Sequence, residues 1–276
     1  HDYARWSGVF EIAEDIPFKR GIGNYNANLI ANYYEIHSQS STANTRLGTV
    51  AHANPSVSLG WRMPVAVTGF GRIAMIEPKA QVTHVGGNGR TNDIPNRDAA
   101  EYRIDEANLF LPHRYQGKDY ILPGTRVDAG VGATANDQYL SNVAAFAGIS
   151  RRLSGTPSAG LNANQDDIYS DYVASLSMSI GGLVNIRWSG RMSSHDFTLN
   201  ESKTGASDDF GASSYLNLAH SQLSQAYFAS SEDDREELSA TLGQTIGAGW
   251  SLTASQIWDL SYSKTVREKT TAALNW

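Results

Sequence analysis

The first candidates for chemistry are Ser194, His195 and Asp196, because a serine, a histidine and a carboxylate form the nucleophilic triad of many hydrolases. These three are consecutive, and neighbours along an extended chain point to opposite faces, so their side chains cannot converge. The chain has seven histidines without the spacing of a zinc site, and it has no cysteine. The glycines around Asn88 lack the lysine and the helix of a phosphate-binding loop. We therefore expect no catalytic residue, no metal site, no cofactor and no enzymatic activity.

Four cationic residues fit a different chemistry. Arg62, Lys79, Arg187 and Arg191 lie in segments rich in serine, threonine, asparagine and glycine. Isolated cations among hydroxyl and amide side chains could contact an anionic, hydroxyl-rich ligand without holding it tightly. The alternative is that each cation pairs with a carboxylate on a neighbouring strand.

The segments around these cations alternate in polarity with a period of two residues, which is typical of β-strands. In Pro55–Met63, for example, Val57, Leu59 and Trp61 share one face, and two serines and Arg62 share the other. Similar patterns predict strands at Ile76–His84, Tyr172–Ile180, Val184–Met192 and Trp250–Leu260, and near Asn24–Ser38, Arg126–Asn136, Tyr139–Leu153, Ser213–Gln222, Glu236–Ile246 and Lys269–Trp276. We expect about thirteen strands and no amphipathic helix.

The links between these segments alternate in length. Gly181–Gly182 and Gly247–Gly249 suit tight turns, because glycine readily adopts positive φ. Longer hydrophilic links are expected at 154–171, 230–235 and 261–267. Short turns alternating with long loops are typical of outer-membrane barrels, although soluble β-sandwiches also contain hairpins.

Composition limits the class of protein. The 276 residues carry a net charge of −6, which argues against nucleic acid as a partner. No apolar run approaches the ~18 residues of a membrane-spanning helix, but barrel strands do not need one. The polar faces carry small neutral residues, and aromatic residues mark the ends of the apolar faces. We therefore predict an all-β fold, an incomplete antiparallel up-and-down transmembrane β-barrel of about 13 strands from a larger barrel.

A succession of short motifs follows Pro55. In order, these are Gly60-Trp61-Arg62-Met63-Pro64, Ile76-Glu77-Pro78-Lys79-Ala80-Gln81, Ile94-Pro95-Asn96-Arg97-Asp98, Asp105-Glu106-Ala107-Asn108-Leu109-Phe110, Arg114-Tyr115-Gln116-Gly117-Lys118-Asp119 and Gly124-Thr125-Arg126. None is specific alone, but their order resembles the C-terminal barrel region of the LPS-assembly outer-membrane protein family (LptD, also called OstA or Imp). The residues that carry the resemblance are Trp61, Pro64, Glu77, Pro78, Gln81, Pro95, Asn96, Asp98, Asn108, Leu109, Phe110, Arg114, Gly117, Asp119, Gly124 and Arg126.

The resemblance implies translocation of lipopolysaccharide (LPS) and its insertion into the outer leaflet of the Gram-negative outer membrane. It also implies an LptE-like plug lipoprotein, an LptA-like periplasmic bridge and contact with outer-membrane lipid. Residues 1–276 would be a single domain, an internal fragment that lacks the N-terminal periplasmic domain and the terminal strands. On this basis Arg62, Lys79, Arg187 and Arg191 are candidates for the substrate path in the lumen.

Two further expectations concern the long segment and the competing functions. The segment 98–124 is long, polar and poorly periodic, so we expect either an ordered loop folded into the lumen or an exposed external loop. The alternatives to LPS translocation are a porin-like diffusion channel and, as a third class, a soluble β-sandwich surface protein.

Overall fold

The chain forms one antiparallel sheet. The structure, a computed structural model, describes residues 3–37, 48–69, 72–87, 104–114, 121, 123–136, 140–155, 168–209, 214–224, 235–246, 249–261 and 264–274. Its fourteen strands are β1 (Tyr3–Phe18), β2 (Gly21–Ile36), β3 (Gly48–Arg62), β4 (Val65–Gly69), β5 (Arg72–Val85), β6 (Gly124–Ala135), β7 (Leu140–Ser154), β8 (Tyr172–Ile180), β9 (Val184–Met192), β10 (Leu199–Asp209), β11 (Ser214–Leu223), β12 (Arg235–Ile246), β13 (Trp250–Asp259) and β14 (Lys264–Leu274). The described residues include no helix.

Each strand pairs with its neighbours in chain order, so the sheet is a continuous meander. β4 is the exception to the simple path, since it pairs only with β5. β1 and β14 form the two edges, and within the described residues they do not pair with each other. The predicted all-β antiparallel architecture is therefore confirmed, and the sheet is open.

The strands differ in detail from the sequence expectation. β1 and β10 were not delimited by the alternation analysis. β10 contains Glu201, Lys203 and Asp208 with few apolar residues, so neither face stands out as hydrophobic. The link expected at 261–267 is wrong in its extent, because β14 already begins at Lys264.

Pro64 divides one long hairpin arm into β3 and β4. Arg62 lies opposite Lys79 and Val65 lies opposite Ile76, so the register continues across the break. The N–H of Met63 donates to the carbonyl of Pro78 at 3.0 Å. Because Pro64 has no N–H to donate, the ladder is interrupted there without a change of register.

Short turns join the hairpins at one end of the sheet. Gly181 and Gly182 have φ of 59° and 71°, so the turn between β8 and β9 needs two residues with positive φ, as predicted. At the other end, longer links connect β2 to β3, β5 to β6 and β7 to β8. The expected alternation of link length is thus present along most of the chain.

The exposure of the two faces of the sheet is the reverse of that in a soluble protein, because apolar side chains are exposed and polar side chains are buried. On β3, Leu59 is 63% exposed, whereas the adjacent Ser58 is 1% exposed. β5 behaves in the same way, with Val82 exposed and Thr83 fully buried. We call the side with Ser58 and Thr83 the polar face and the side with Leu59 and Val82 the apolar face.

The apolar face has no second sheet packed against it in the described part of the chain. Leu252 is exposed, and Trp61, Leu176 and Trp188 are half-buried on the same single sheet. These four residues therefore do not share an interior between two sheets, which argues against the β-sandwich alternative. Among the described residues, no helix is long and apolar enough to cross a membrane.

Candidate functional site

Residues 104–114, which we call the docked segment, lie between β5 and β6 and pack on the polar face. Their first turn is closed by reciprocal hydrogen bonds: the N–H of Asp105 donates to Asn108 Oδ1 at 3.0 Å, and the N–H of Asn108 donates to Asp105 Oδ1 at 2.9 Å. Leu109 N–H then donates to the carbonyl of Asp105 at 3.0 Å. Aspartate and asparagine favour such turns because their short side chains reach the nearby backbone. The described part of the long 98–124 link is therefore ordered and lies on the polar face of the sheet.

Leu109 is the apolar anchor of the docked segment. It is fully buried against Phe146 of β7 and Val173 of β8. A side chain at Gly148 would place its Cβ 2.5 Å from a methyl group of Leu109, and one at Gly130 would meet the Phe146 ring at 2.7 Å. These two glycines therefore form the recess in the sheet that accepts the anchor.

Arg114 ends the docked segment and binds a buried carboxylate. Its guanidinium forms an ion pair with Asp128 of β6, which has no exposed surface. It also donates to Ser150 Oγ of β7 at 2.9 Å and to the carbonyl of Leu109 at 2.7 Å. Ser150 Oγ in turn donates to Asp128 at 2.6 Å. Because a buried charge is costly without partners, this network holds the segment in one position.

A second arginine shares the same carboxylate. Arg126 Nε donates to the other oxygen of Asp128 at 3.2 Å, and its terminal nitrogen donates to the carbonyl of Pro112 at 3.0 Å. Gln81 of β5 donates to the carbonyl of Phe110 at 2.7 Å. Two strands, β5 and β6, thus supply the polar side chains that bind the backbone of the docked segment.

His113 connects the segment to β3. Its Nε2 lies 3.1 Å from Ser56 Oγ. Burial, together with the positive charge of Arg126, lowers the pKa of His113 to about 4, against a small opposing effect of Glu11. The imidazole is therefore neutral in the docked state at neutral pH.

Lys79 supports the segment from the wall. Its Nζ lies 5.4 Å from the ring centre of Phe110 and 5.2 Å from that of Phe146, so it makes cation–π contacts with both. Beyond it, a cleft of about 670 Å³ separates the turn of the docked segment from β8, β9 and β10. Ser175, Arg191 and Lys203 line the strand side of this cleft.

The four predicted path residues all lie on the polar face, but in different surroundings. Arg62 is 3.1 Å from Asp15 and 3.5 Å from Glu77, which is also 3.9 Å from Lys79. Arg191 is buried and forms a 2.6 Å ion pair with Glu201. Arg187 is exposed and has no carboxylate within 4 Å among the described residues. The pairing alternative therefore describes Arg62 and Arg191; the carboxylate near Lys79 belongs to its own strand, and Arg187 stands apart.

The residues that first suggested catalysis form a turn. Ser193 Oγ accepts the backbone N–H groups of His195 at 3.2 Å and Asp196 at 3.4 Å, and Thr198 donates to Asp196 at 2.8 Å through its hydroxyl. Hydrogen bonds to the Asp196 carboxylate from the side chain of Ser193, and from the hydroxyl and backbone N–H of Thr198, lower the pKa of Asp196 to about 2. Within the described ranges, no group of three or more histidine, cysteine, aspartate or glutamate side chains could hold a metal ion.

The structure brings several motif residues together at the docked segment. Gln81, Asn108, Leu109, Phe110, Arg114 and Arg126 all contribute to its docking. Gly124 opens β6 with φ of 136°, where a Cβ would meet the Ser154 carbonyl at 2.3 Å. Trp61, Pro64, Glu77 and Pro78 lie around the interrupted hairpin of β3 to β5. Pro95, Asn96, Asp98, Gly117 and Asp119 lie outside the described residues.

The sequence did not indicate which residues of the sheet contact the docked segment. Asp128, Ser150 and Phe146 were not singled out, although Asp128 is the buried charge that the two arginines share. Its only signal in the sequence is an aspartate two residues after Arg126 in a strand, which would place both on one face.

The Asp128→Asn substitution should release the docked segment. It keeps the shape of the side chain but leaves two arginines without their carboxylate, at a cost of about 3–5 kcal/mol. We expect trypsin to cleave after Arg114 much faster in this variant than in the wild-type protein, as measured by mass spectrometry of the native digest. Asp209→Asn, at the exposed end of β10, is the matched control and should leave cleavage unchanged. Equal protection of the wild-type and Asp128→Asn proteins would contradict the assignment.

Docking of the segment should depend on pH through His113. Because its pKa is lowered from 6.5 to about 4, the docked state favours the neutral ring, and the released state binds the proton more readily. Docking should be fully stable above pH 6.5 and weaken as the pH falls toward 4. Amide hydrogen exchange of residues 104–114, corrected for its intrinsic pH dependence, measures this loss. His113→Gln should make the exchange independent of pH over this range; a persisting dependence would assign the effect to another group.

The comparison with known proteins agrees with this arrangement. No curated protein matches the chain. The family described as LPS transport system D (LptD) matches residues 10–258, which is 249 of the 276 residues and includes the docked segment and its wall. LptD is a transport and assembly family of the outer membrane, and its role is in LPS transport. The chain, with its continuous antiparallel sheet and a motif-bearing segment docked on the polar face, belongs to the LPS transport system D (LptD) family.

Proposed function

We propose that this chain forms part of the wall of a transmembrane β-barrel that translocates LPS and inserts it into the outer leaflet of the outer membrane, without catalysing a reaction. The observation that carries this proposal is the inverted polarity of the sheet. Leucine and valine side chains are exposed on one face, whereas serine, threonine and a buried aspartate lie on the other. Together with membership of the LptD family, this polarity favours lipid on the apolar face and a hydrated lumen on the polar face.

The exposed apolar side chains are too numerous for a protein surrounded by water. Phe10, Ile12, Leu59 and Leu242 are each more than half exposed, and they lie on the apolar face of strands spread across the sheet. Leaving apolar area in water costs about 25 cal/mol per Å², so an uncovered face of this size would drive association. Contact with outer-membrane lipid removes that cost. The proposed location is therefore the cell outer membrane, with the strands as repeated crossings.

The open edges favour a barrel larger than this chain. β1 and β14 each pair on one side only among the described strands. Unpaired backbone groups cannot face hydrocarbon without a cost of several kcal/mol each, so strands outside residues 1–276 should complete the barrel. In this proposal the whole chain is a single domain of the LptD-type barrel, and the periplasmic domain and terminal strands belong to the rest of the protein.

The polar face is the proposed path for the LPS head. Arg62, Lys79, Arg187 and Arg191 project onto this face, among hydroxyl and amide side chains. Because most of these cations are partly neutralised by nearby carboxylates, they can contact phosphate groups without trapping them. The docked segment occupies part of the same face and narrows the path beside β5 to β8.

The proposed partners follow from the family and from the two faces. LPS is the substrate, an LptE-like lipoprotein is the plug in the lumen, and an LptA-like bridge delivers substrate from the periplasm. Outer-membrane lipid covers the apolar face. No role for nucleic acid is proposed, since the net charge is −6.

A charge on the apolar face should prevent membrane insertion. Leu218 of β11 is exposed on that face, and the adjacent Asn217 lies on the polar face. We expect Leu218→Arg to destabilise the membrane-inserted state by about 2–4 kcal/mol, and Asn217→Arg to change it by less than about 1 kcal/mol. The measurement is urea unfolding of the full-length protein in liposomes, followed by tryptophan fluorescence. Equal effects of the two substitutions would place the membrane elsewhere.

Depletion of the full-length protein should separate LPS translocation from a porin-like channel. If the protein translocates LPS, depletion in its native cell should lower the surface-accessible fraction of pulse-labelled LPS at least several-fold. The wild-type gene should restore delivery. A porin would leave LPS delivery intact and reduce the uptake of small hydrophilic solutes instead, which would overturn the proposed function.

A further inference from the structure

The cleft beside the docked segment ends one row of the sheet short of Arg187, which forms no ion pair with any residue that the structure describes. The strand side of the cleft is formed by β8, β9 and β10, whose pairing sets the side chains in rows. Ser175 lies opposite Ser189, which lies opposite Lys203, and in the next row Ser177 lies opposite Arg187, which lies opposite Gly205. Arg187 therefore lies one row beyond Ser189 and Lys203, which line the cleft, between a serine and a glycine that leave room around its guanidinium.

On the part of this wall that lies next to the cleft, cations outnumber carboxylates. Glu201 is the one carboxylate that contacts cations on the described parts of β8, β9 and β10, and it binds both Arg191 at 2.6 Å and Lys203 at 2.6 Å. Lys203 is 57% exposed at its side chain, so it can turn from Glu201 toward the cleft, whereas Arg191 is buried. With Arg187, this part of the wall carries three cations, and Glu201 is the carboxylate among them; Asp208 and Asp209 lie beyond Arg187 at the end of β10.

The opposite wall contributes acidic groups that are already engaged. Glu106 of the docked segment accepts a hydrogen bond from Ser175, and Asp105 accepts the N–H of Asn108. Their negative charge moderates the field of the cleft, so a bound anion would be held weakly and could leave. Weak binding of this kind suits a site that a transported anionic group passes through, rather than one that retains it.

Two flexible cations at this spacing can close on one anion. Arg187 and Lys203 are diagonal neighbours on paired strands, and such positions lie about 7–8 Å apart. A guanidinium offers paired donors that match phosphate, and a lysine adds a mobile point charge. The serines between them supply hydroxyl donors and acceptors for sugar hydroxyl groups.

We infer that the cleft between residues 104–108 and strands β8 to β10 is a transient binding site for a phosphate-bearing sugar, with Arg187 and Lys203 as its phosphate contacts. This inference rests on the proposed LPS path and assigns a specific step along it, the passage of a phosphorylated part of the head. Of the predicted path residues, Arg191 is unsuited to this test, because its removal would disrupt the buried pair with Glu201.

The test uses full-length wild-type protein in detergent micelles, with a diphosphorylated glucosamine disaccharide as the probe and its dephosphorylated form as comparison. Binding of the phosphorylated disaccharide is followed by broadening of its ³¹P lines. Binding of the dephosphorylated disaccharide is followed by its competition with the phosphorylated one. We expect the Arg187→Gln/Lys203→Gln double variant to bind the phosphorylated probe at least tenfold more weakly, and Arg187→Lys/Lys203→Arg to recover most of the affinity. The matched control, Lys19→Gln/Arg20→Gln in the turn between β1 and β2, removes the same charge and should bind like the wild type.

Three outcomes overturn the inference: unchanged binding in the double variant, equal loss in the control, or equal affinity for the dephosphorylated disaccharide, which would assign the cleft to sugar hydroxyl groups alone. The melting temperature of each variant is compared with that of the wild type to check that the variant folds. If the double variant does not fold, the single variants Arg187→Gln and Lys203→Gln are tested in its place. LPS delivery to the cell surface is measured in the same strains. If the wild-type protein delivers LPS but the variant binds the phosphorylated disaccharide as well as the wild type does, the site is rejected and the proposed function stands. If the wild-type protein does not deliver LPS, the proposed function is rejected.

Discussion

The hydrogen-bonded register of the sheet is the constraint on which every other feature depends. Side chains alternate between two faces, so a slip of one residue in a pair of strands would exchange a whole hydrophobic face for a polar one. In the observed register, Gln81 lies opposite Asp128, which lies opposite Ser150. The row places an amide, a carboxylate and a hydroxyl side by side on three strands, and these groups then bind one segment of the chain.

The docked segment depends on that row. Arg114 finds its carboxylate only where β6 and β7 are paired correctly, and Leu109 finds its recess only where Gly148 faces the same side. An unpaired arginine in this position would be costly, so a misregistered wall could not hold the segment. The contacts thus make the ordered segment a consequence of a correctly assembled wall, and they explain why motif residues distant in sequence converge on it.

Charge on the polar face is mostly neutralised locally. Asp128 serves two arginines, and Glu201 serves Arg191 and Lys203. Arg187 departs from this pattern, which is why it carries the inference about phosphate. Among the described residues, this combination of neutralised pairs with one available cation suits the proposed passage of an anionic substrate, because strong unneutralised sites would retain it.

The sequence by itself determined the class of fold and the assignment of side chains to faces. The two-residue period needs only local alternation, so it predicted that Arg62, Lys79, Arg187 and Arg191 would lie on the polar side. It did not predict β10, which lacks an apolar face. The motifs marked Leu109 and Arg114 as members of a family pattern but gave no partner for either. Only the tertiary structure decided those partners, because the 98–124 link is aperiodic and its docking depends on strand pairing between residues far apart in the chain. Local polarity can assign a face to Asp128, but its burial between two arginines arises only when three strands and a returning segment meet.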